Sequence, residues 1–411
     1  MTTGSLDEPL DLAGTWTTKV RSYPANFIDS EWSPGAVADE AGAAAPRAAH
    51  TVATTITATN AADSVRSFLD ANFIVIFRRR RIGRGFTSWT GFGSVNSIGE
   101  DGSLRIALLG QAAFAEKALE ALVKHGEEIV HVFAPPDPPS GKPDALKAKA
   151  LELGLPLSQP KSFKKDPKAL DHFKSLNADL AILAFVTIIV PEPILYQPRH
   201  KSICFHPSLL PKRRGASAIN WAIINGDSET GVTWFWPDAG IDTGPILIQK
   251  RVPITDSDTT GSIYFNKLFP MGIDTMIEAV DLIKTGRAPA IVQDESQATY
   301  EPPCRDEHAK VDFSKSAREV FNLVRGCDPQ PGAYADLGGK RLRLYDVALQ
   351  AAASSDAKPG TIVAVDSDAM RIALPGGTLA VKRTRIDPSP KKVAPAELAA
   401  SGELHTGVQL G

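Results

Sequence analysis

The sequence predicts an α/β protein in which a parallel sheet, covered by helices on both faces, is followed by a small β-barrel domain. Three observations support this. From Leu104 onward, short apolar runs alternate with amphipathic stretches, the order expected of strand–helix–strand units. The runs are apolar nearly throughout, as in strands buried on both faces. After Cys304 the pattern changes to one helix and then several short strands separated by glycine and proline.

Taken in order, Arg105 to Gly110 reads as a buried strand ended by glycine, and Phe114 to His125 as a helix with Leu119 and Leu122 at helical spacing. Ile129 to Ala134 is a second strand closed by a proline-rich turn. Ala145 to Leu153 is a helix, Asp179 to Val186 and Ser202 to His206 are strands, Ala218 to Ile224 is a helix and Gly231 to Trp236 a strand. A loop and strand occupy Gly240 to Ile254, and a long helix Thr260 to Lys284. Arg287 to Pro303 is a connector containing Pro, Gln and Glu. Beyond it the expected elements are a helix at Ser316 to Val324 and strands at Leu342–Tyr345, Gly360–Val365, Met370–Leu374 and Thr378–Val381. The resulting division is 104–285 for the first domain, 286–303 for a linker and 304–411 for the β-barrel domain.

Residues 1–103 receive no fold and are read as a disordered or poorly structured extension. Their Ala- and Thr-rich stretch (36–62) lacks periodicity, and Arg78 to Arg81 is read as a solvated charge run. The formal net charge of −2 advertises no nucleic-acid surface. Cys204, Cys304 and Cys327 have neither disulfide-framework nor zinc spacing, which suits a reducing cytoplasm. No run approaches the ~20 apolar residues of a membrane helix, and the N-terminus lacks signal-peptide character. Gly110-Gln111-Ala112-Ala113-Phe114 supplies only one glycine of a dinucleotide-binding turn, so a nicotinamide site is not expected there.

Chemistry concentrates between Ser202 and Gly244. His206 ends one strand and Asp242 lies in a glycine-bounded loop after another, and ligands in open α/β sheets bind beyond the carboxyl ends of the strands. A carboxylate can orient an imidazole and favour its charged form. Spacing alone leaves a structural histidine as open as a catalytic one.

The residues around them narrow this. His206-Pro207-Ser208-Leu209-Leu210-Pro211 and Asp238-Ala239-Gly240-Ile241-Asp242-Thr243-Gly244 resemble the H-x-S-L-L-P and D-x-G-x-D-T-G contexts of the formyltransferases that use 10-formyltetrahydrofolate. Gly215 to Trp221, Gly226-Asp227 and Leu268-Phe269-Pro270-x-Gly272-Ile273 are similar to the hydrolase domain of 10-formyltetrahydrofolate dehydrogenase. The resemblance is specific from about Leu104 to Gly332 and looser beyond. It implies a Rossmann-like catalytic domain and an OB-like C-terminal barrel, with 10-formyltetrahydrofolate as formyl donor, His206 and Asp242 as catalytic residues, and no metal. It further implies that Ile188, Ile189, Val190 and the Ser208, Leu209, Leu210, Pro211 loop line the folate cleft. From sequence alone, Ile188 to Val190 read simply as core. Arg213 and Arg214 are candidates for the glutamate tail of folate or an acceptor phosphate, and equally for solvated surface.

One position departs from the family. Most members carry N-x-H, the asparagine donating to the formyl oxygen as it becomes an oxyanion, whereas here Cys204 stands there. A thiol is a weak donor. The hydrolase branch also lacks the asparagine, so the expected reaction is hydrolysis to tetrahydrofolate and formate. Transfer to initiator methionyl-tRNA, or to another amine such as an amino sugar, is the alternative. From Cys304 onward 15 Lys and Arg face 13 Asp and Glu, with Lys382-Arg383-x-Arg385 and Lys391-Lys392 as the best basic patch for tRNA. A folate- or RNA-binding protein without catalysis is the reading from a different class. Cys204 as a covalent nucleophile lacks an evident activating neighbour in the sequence.

Overall fold

The computed structural model describes residues 102–138, 141–186, 190–350 and 356–411, all within one compact unit. Of the N-terminal extension read at 1–103, residues 1–101 lie outside the described residues.

The first domain opens with β1 (Arg105–Gly110), α1 (Ala112–His125), β2 (Glu128–Phe133), α2 (Ala145–Glu152), β3 (Leu157–Ser158), α3 (Pro167–Ser175) and β4 (Leu180–Ala184). It continues through α4 (Glu192–Leu195), β5 (Ser202–His206), β6 (Arg214–Gly215), α5 (Ala218–Ile224), β7 (Glu229–Phe235), β8 (Ile246–Pro253), α6 (Thr260–Ile263) and α7 (Phe269–Lys284). Seven strands form one sheet in the order β3-β2-β1-β4-β5-β7-β8. The first five run parallel, as expected. β7 and β8 run antiparallel to their neighbours, making the sheet mixed. Only a loop joins β7 to β8, too short for the crossover that a parallel pair needs, whereas β5 and β7 pair antiparallel although α5 lies between them.

The order reverses between β1 and β4, and a ligand crevice is expected beyond the carboxyl ends near that switch. One face of the sheet packs on α1 and α7, where the stacked rings of Phe114 and Phe205 lie 4.2 Å apart. Trp234, fully buried, donates its indole N–H to the Gly272 carbonyl at 3.0 Å. A side chain at Gly272 would bring its Cβ to 2.7 Å from Phe205 and 2.9 Å from Phe114, so the glycine lets α7 lie close beneath β5. A π-turn over Tyr264–Leu268 joins α6 to α7 where Pro270 has no N–H to give the helical ladder.

The opposite face packs on Phe163, Phe173, Ile194 and Leu195. α3 is absent from the sequence reading, although Asp166, which caps Ala169 N, and Pro167 at the first turn are start signals. On this face His131 is almost fully buried, bonded through Nε2 to Ser158 Oγ at 2.8 Å, with the His172 ring 4.6 Å away. Burial, helped by His172, pulls its pKa down to about 4. The unfolded chain takes up this proton near ~6.5. The stabilising contribution of neutral His131 is thus complete above that pH and is lost as pH falls through about 4. The thermal midpoint should fall between pH 7 and pH 4, and His131→Gln should flatten that fall; equal slopes in both proteins would refute the assignment.

The connector is not a free linker. It carries a turn at Glu295–Gln297 and β9 (Tyr300–Glu301), which pairs with β6. The second domain comprises α8 (Ala317–Gly326), β10 (Tyr334–Leu337), β11 (Lys340–Gln350), β12 (Ile362–Val365), β13 (Met370–Leu374), β14 (Gly377–Ile386) and α9 (Pro395–Ala400). Its five strands form a curled antiparallel sheet in the order β10-β11-β14-β13-β12, the barrel-like architecture expected, closed over α8. α8 begins with a capping box of Ser316 and Glu319. Buried polar groups join α5 to α8: Asn220 Nδ2 donates to the Gly326 and Gln330 carbonyls at 2.8 and 3.0 Å. No helix among the described residues is long and apolar enough to cross a membrane.

Candidate active site

Alternation along β5 sorts its side chains between the two faces of the sheet. Ile203 and Phe205 enter the core over α1 and α7, whereas Cys204 lies on the opposite face with Val186 and Val190. His206, two residues after Cys204, shares that face. It is 6% exposed.

The chain after His206 curls back on it. Leu210 N and the Ser208 carbonyl both meet Thr233 Oγ1, at 3.4 and 2.7 Å, and Gln249 Nε2 donates to the Leu210 carbonyl at 3.0 Å. Ser208 Oγ donates to the Lys212 carbonyl at 2.8 Å. This returns the Arg213 carbonyl to within 2.7 Å of His206 Nε2. A carbonyl can only accept, so Nε2 carries the proton. The other ring nitrogen, Nδ1, is then the atom that takes up or gives away a proton. Nδ1 faces Asp242 Oδ2 at 3.6 Å, with the two side chains 8% and 19% exposed. That separation is beyond a direct hydrogen bond, so Nδ1 remains open to a substrate atom within the field of the carboxylate.

Asp242 owes its place to its motif. Asp238 Oδ1 accepts from Gly240 N at 3.0 Å and from Thr243 Oγ1 at 2.5 Å, folding the loop on itself. Trp236 N donates to the Pro245 carbonyl at 2.9 Å and closes the loop's base. At Gly244 a Cβ would stand 1.8 Å from the Trp236 carbonyl oxygen, which explains the final glycine of the motif. Asp242 adopts φ +56°, a left-handed conformation that aspartate tolerates better than most residues. Its Oδ2 accepts from Gly215 N at 2.8 Å, and its Oδ1 accepts no hydrogen bond from the described residues.

Cys204 Sγ lies 3.7 Å from the Phe205 carbonyl. Burial, reinforced by the negative charge of Asp242, pushes its thiol well above the ordinary value. That is the opposite of what a thiolate nucleophile needs. Arg213 and Arg214 are both engaged internally. Arg213 grips Asp227 at 3.0 and 2.7 Å and pairs with Glu301. Arg214, fully buried, pairs with Glu295 at 2.7 Å and bonds Tyr300 OH at 2.7 Å. Neither presents a free guanidinium to a folate tail or a phosphate. In the basic patch of the second domain, Lys382 lies 3.8 Å from Asp346 in an exposed contact, Arg385 pairs with Asp387 at 3.1 Å and Lys392 lies 3.5 Å from Asp328.

The structure thus brings Cys204, His206, Asp242, Val190 and the Ser208–Pro211 loop to one end of the sheet. Ile188 and Ile189 lie outside the described residues. At the start of α1, the Ala112 amide donates to Asp144 Oδ2 at 2.8 Å, so the place where a dinucleotide phosphate would sit is taken by a carboxylate of the same chain. Among the described residues no group of three or more His, Cys, Asp or Glu is arranged to hold a metal ion. Sequence reading missed Thr233, Gln249 and Gln293, whose contacts to the site span 16 to 79 residues of chain. The clue it held was polar residues inside otherwise apolar strands.

Residues 104–280 match the formyl transferase family and residues 304–403 match the formyl transferase C-terminal domain. Methionyl-tRNA formyltransferase of Geobacter sulfurreducens is 35% identical over 313 residues, 75% of this chain and 97% of that protein. The chain belongs to the formyl transferase family. The mitochondrial 10-formyltetrahydrofolate dehydrogenase of Mus musculus is 39% identical over 260 residues, 62% of this chain. The match spans only 28% of the length of that relative. Among solved structures, the N-formyltransferase from Helicobacter canadensis, in complex with folinic acid and dTDP-3-aminofucose, shares the fold with a TM-score of 0.54 at 20% identity. That match covers 68% of this chain and 98% of the other. HypX from Aquifex aeolicus in complex with tetrahydrofolic acid also shares the fold, with a TM-score of 0.54, 20% identity, and 72% and 47% of the two chains covered.

Proposed function

We propose that this chain transfers the formyl group of 10-formyltetrahydrofolate to an amine, with the aminoacyl group of charged initiator methionyl-tRNA as acceptor. The observation that carries the chemistry is the commitment of His206 Nε2–H to the Arg213 carbonyl, which turns Nδ1 towards Asp242. The tRNA acceptor is supported by the methionyl-tRNA formyltransferase match, which runs through both domains, whereas the dehydrogenase match spans about a quarter of those proteins.

By the family resemblance, the folate would bind beside Val190 and the Ser208–Pro211 loop. The amine nitrogen attacks the formyl carbon, and the carbonyl electron pair moves to oxygen. His206 Nδ1 takes the proton shed by the attacking nitrogen, while Asp242 stabilises the imidazolium. The proton passes to N10 as the carbon–N10 bond breaks and the carbonyl reforms, leaving tetrahydrofolate and the formylated amine.

Water as acceptor is the second reading, and Cys204 favours it. The position from which the family's asparagine would serve the oxyanion holds a weak donor here, and the hydrolase branch resembles this chain in also lacking the asparagine. The products would then be tetrahydrofolate and formate.

The deciding experiment measures tetrahydrofolate release from 10-formyltetrahydrofolate by purified protein, first without acceptor, then with charged initiator tRNA, then with an amino sugar nucleotide. Release that requires the charged tRNA is expected. Release at the same rate in water alone would establish the hydrolase. A folate-induced thermal shift with no turnover under all three conditions would leave a binding protein.

A further inference from the structure

We infer that Gln293 is a positioning residue for the formyl-transfer step, acting through the backbone on either side of Asp242. This rests on the reading of Asp242 as one of the reacting pair. Gln293 lies in the connector and is 5% exposed. Its Nε2 donates to the Asp242 carbonyl at 2.8 Å and to the Gly244 carbonyl at 2.6 Å. Its Oε1 accepts from Arg214 Nε at 3.1 Å and from Arg214 Nη2 at 2.8 Å. Carbonyls only accept and a guanidinium only donates, so the amide has a single workable orientation.

Arg214 is itself immobilised from its far side by Glu295 and Tyr300, both from the same connector. Its neighbour Gly215 donates its amide to the Asp242 carboxylate. Asp242 is therefore held twice from one short strand, at its side chain by Gly215 and at its backbone through Gln293 by Arg214. A residue at φ +56° needs such support, because its conformation is costly without it. Gln293 touches none of the reacting atoms. It fixes the loop that sets the gap between Oδ2 and His206 Nδ1.

Gln293→Glu tests this, since it keeps the shape and the acceptor for Arg214 but turns the two donors into a charged oxygen facing two carbonyls. We expect kcat for the best acceptor to fall about tenfold to a hundredfold, as small displacements of reacting groups do. KM for 10-formyltetrahydrofolate should change by less than about threefold. In an Asp242→Asn background the same substitution should cost less than about twofold, because its effect passes through Asp242. Gln293→Leu, which removes the donors and the acceptor without adding a charge, should show the same pattern if Gln293→Glu proves too unstable to purify. Unchanged kcat in a folded variant, or an equal loss in the Asp242→Asn background, overturns the inference. Absence of turnover in the unaltered protein overturns the formyl-transfer reading with it; turnover indifferent to Gln293 overturns the inference alone.

Discussion

Asp242→Asn is expected to lower tetrahydrofolate release by about 10²–10⁴-fold while leaving folate binding nearly unchanged, the range for loss of a proton-transfer partner. The substitution preserves the loop, since the amide oxygen can still accept from Gly215 N, which now bonds Oδ2 at 2.8 Å. What changes is the charge facing His206. Oδ2 is also the atom 3.6 Å from His206 Nδ1, so the amide oxygen held by Gly215 N–H keeps that place and the NH₂ takes the place of Oδ1. The negative charge that would stabilise the imidazolium is lost. His206→Ala should fall within the same range, and the double variant should be little worse than either single one, because residues acting as a unit do not contribute additively. The check is the initial rate of tetrahydrofolate appearance, paired with a folate titration. Turnover within tenfold of the unaltered protein in either single variant would remove the pair from the mechanism.

How much of this was legible in the sequence follows from the range of each interaction. β5 could be read because its spacing is local: an apolar run ends at His206, and residues two apart share a face, placing Cys204 beside it. The Asp242 loop could be read because Asp238, Gly240, Thr243 and Gly244 make contacts within a few residues of one another and of Trp236. The arrangement around the pair could not. Thr233 and Gln249 look like ordinary polar interruptions in strands, and their role depends on β7 pairing antiparallel with β5 and β8 with β7. Gln293 and Glu295 sit in a stretch whose composition reads as a solvated connector, yet they reach back across 79 and 81 residues to Arg214. Arg214 itself resembles a surface charge, and its complete burial depends on partners that exist only after the connector folds against β6.

Cys204→Asn is expected to raise formyl transfer to an amine by about tenfold or more, in the opposite direction to most active-site substitutions. Removing one donor from an oxyanion site typically costs about 10²–10³ in rate, so restoring one should recover part of that. The position suits the purpose: it shares a strand face with His206 and lies within the influence of the Asp242 charge, which helps push the thiol pKa up. A thiol kept protonated is neither an effective donor nor a nucleophile, so Cys204→Ala should retain turnover within about threefold. The pair of variants separates three roles for this residue. Loss of activity in Cys204→Ala would make the thiol a participant. A gain in Cys204→Asn confined to amine acceptors would show that the missing donor limits transfer. A variant that releases tetrahydrofolate in water at an unchanged rate and gains nothing with charged tRNA would mean that the oxyanion is served from elsewhere in the cleft, and that the cysteine marks a site arranged for water.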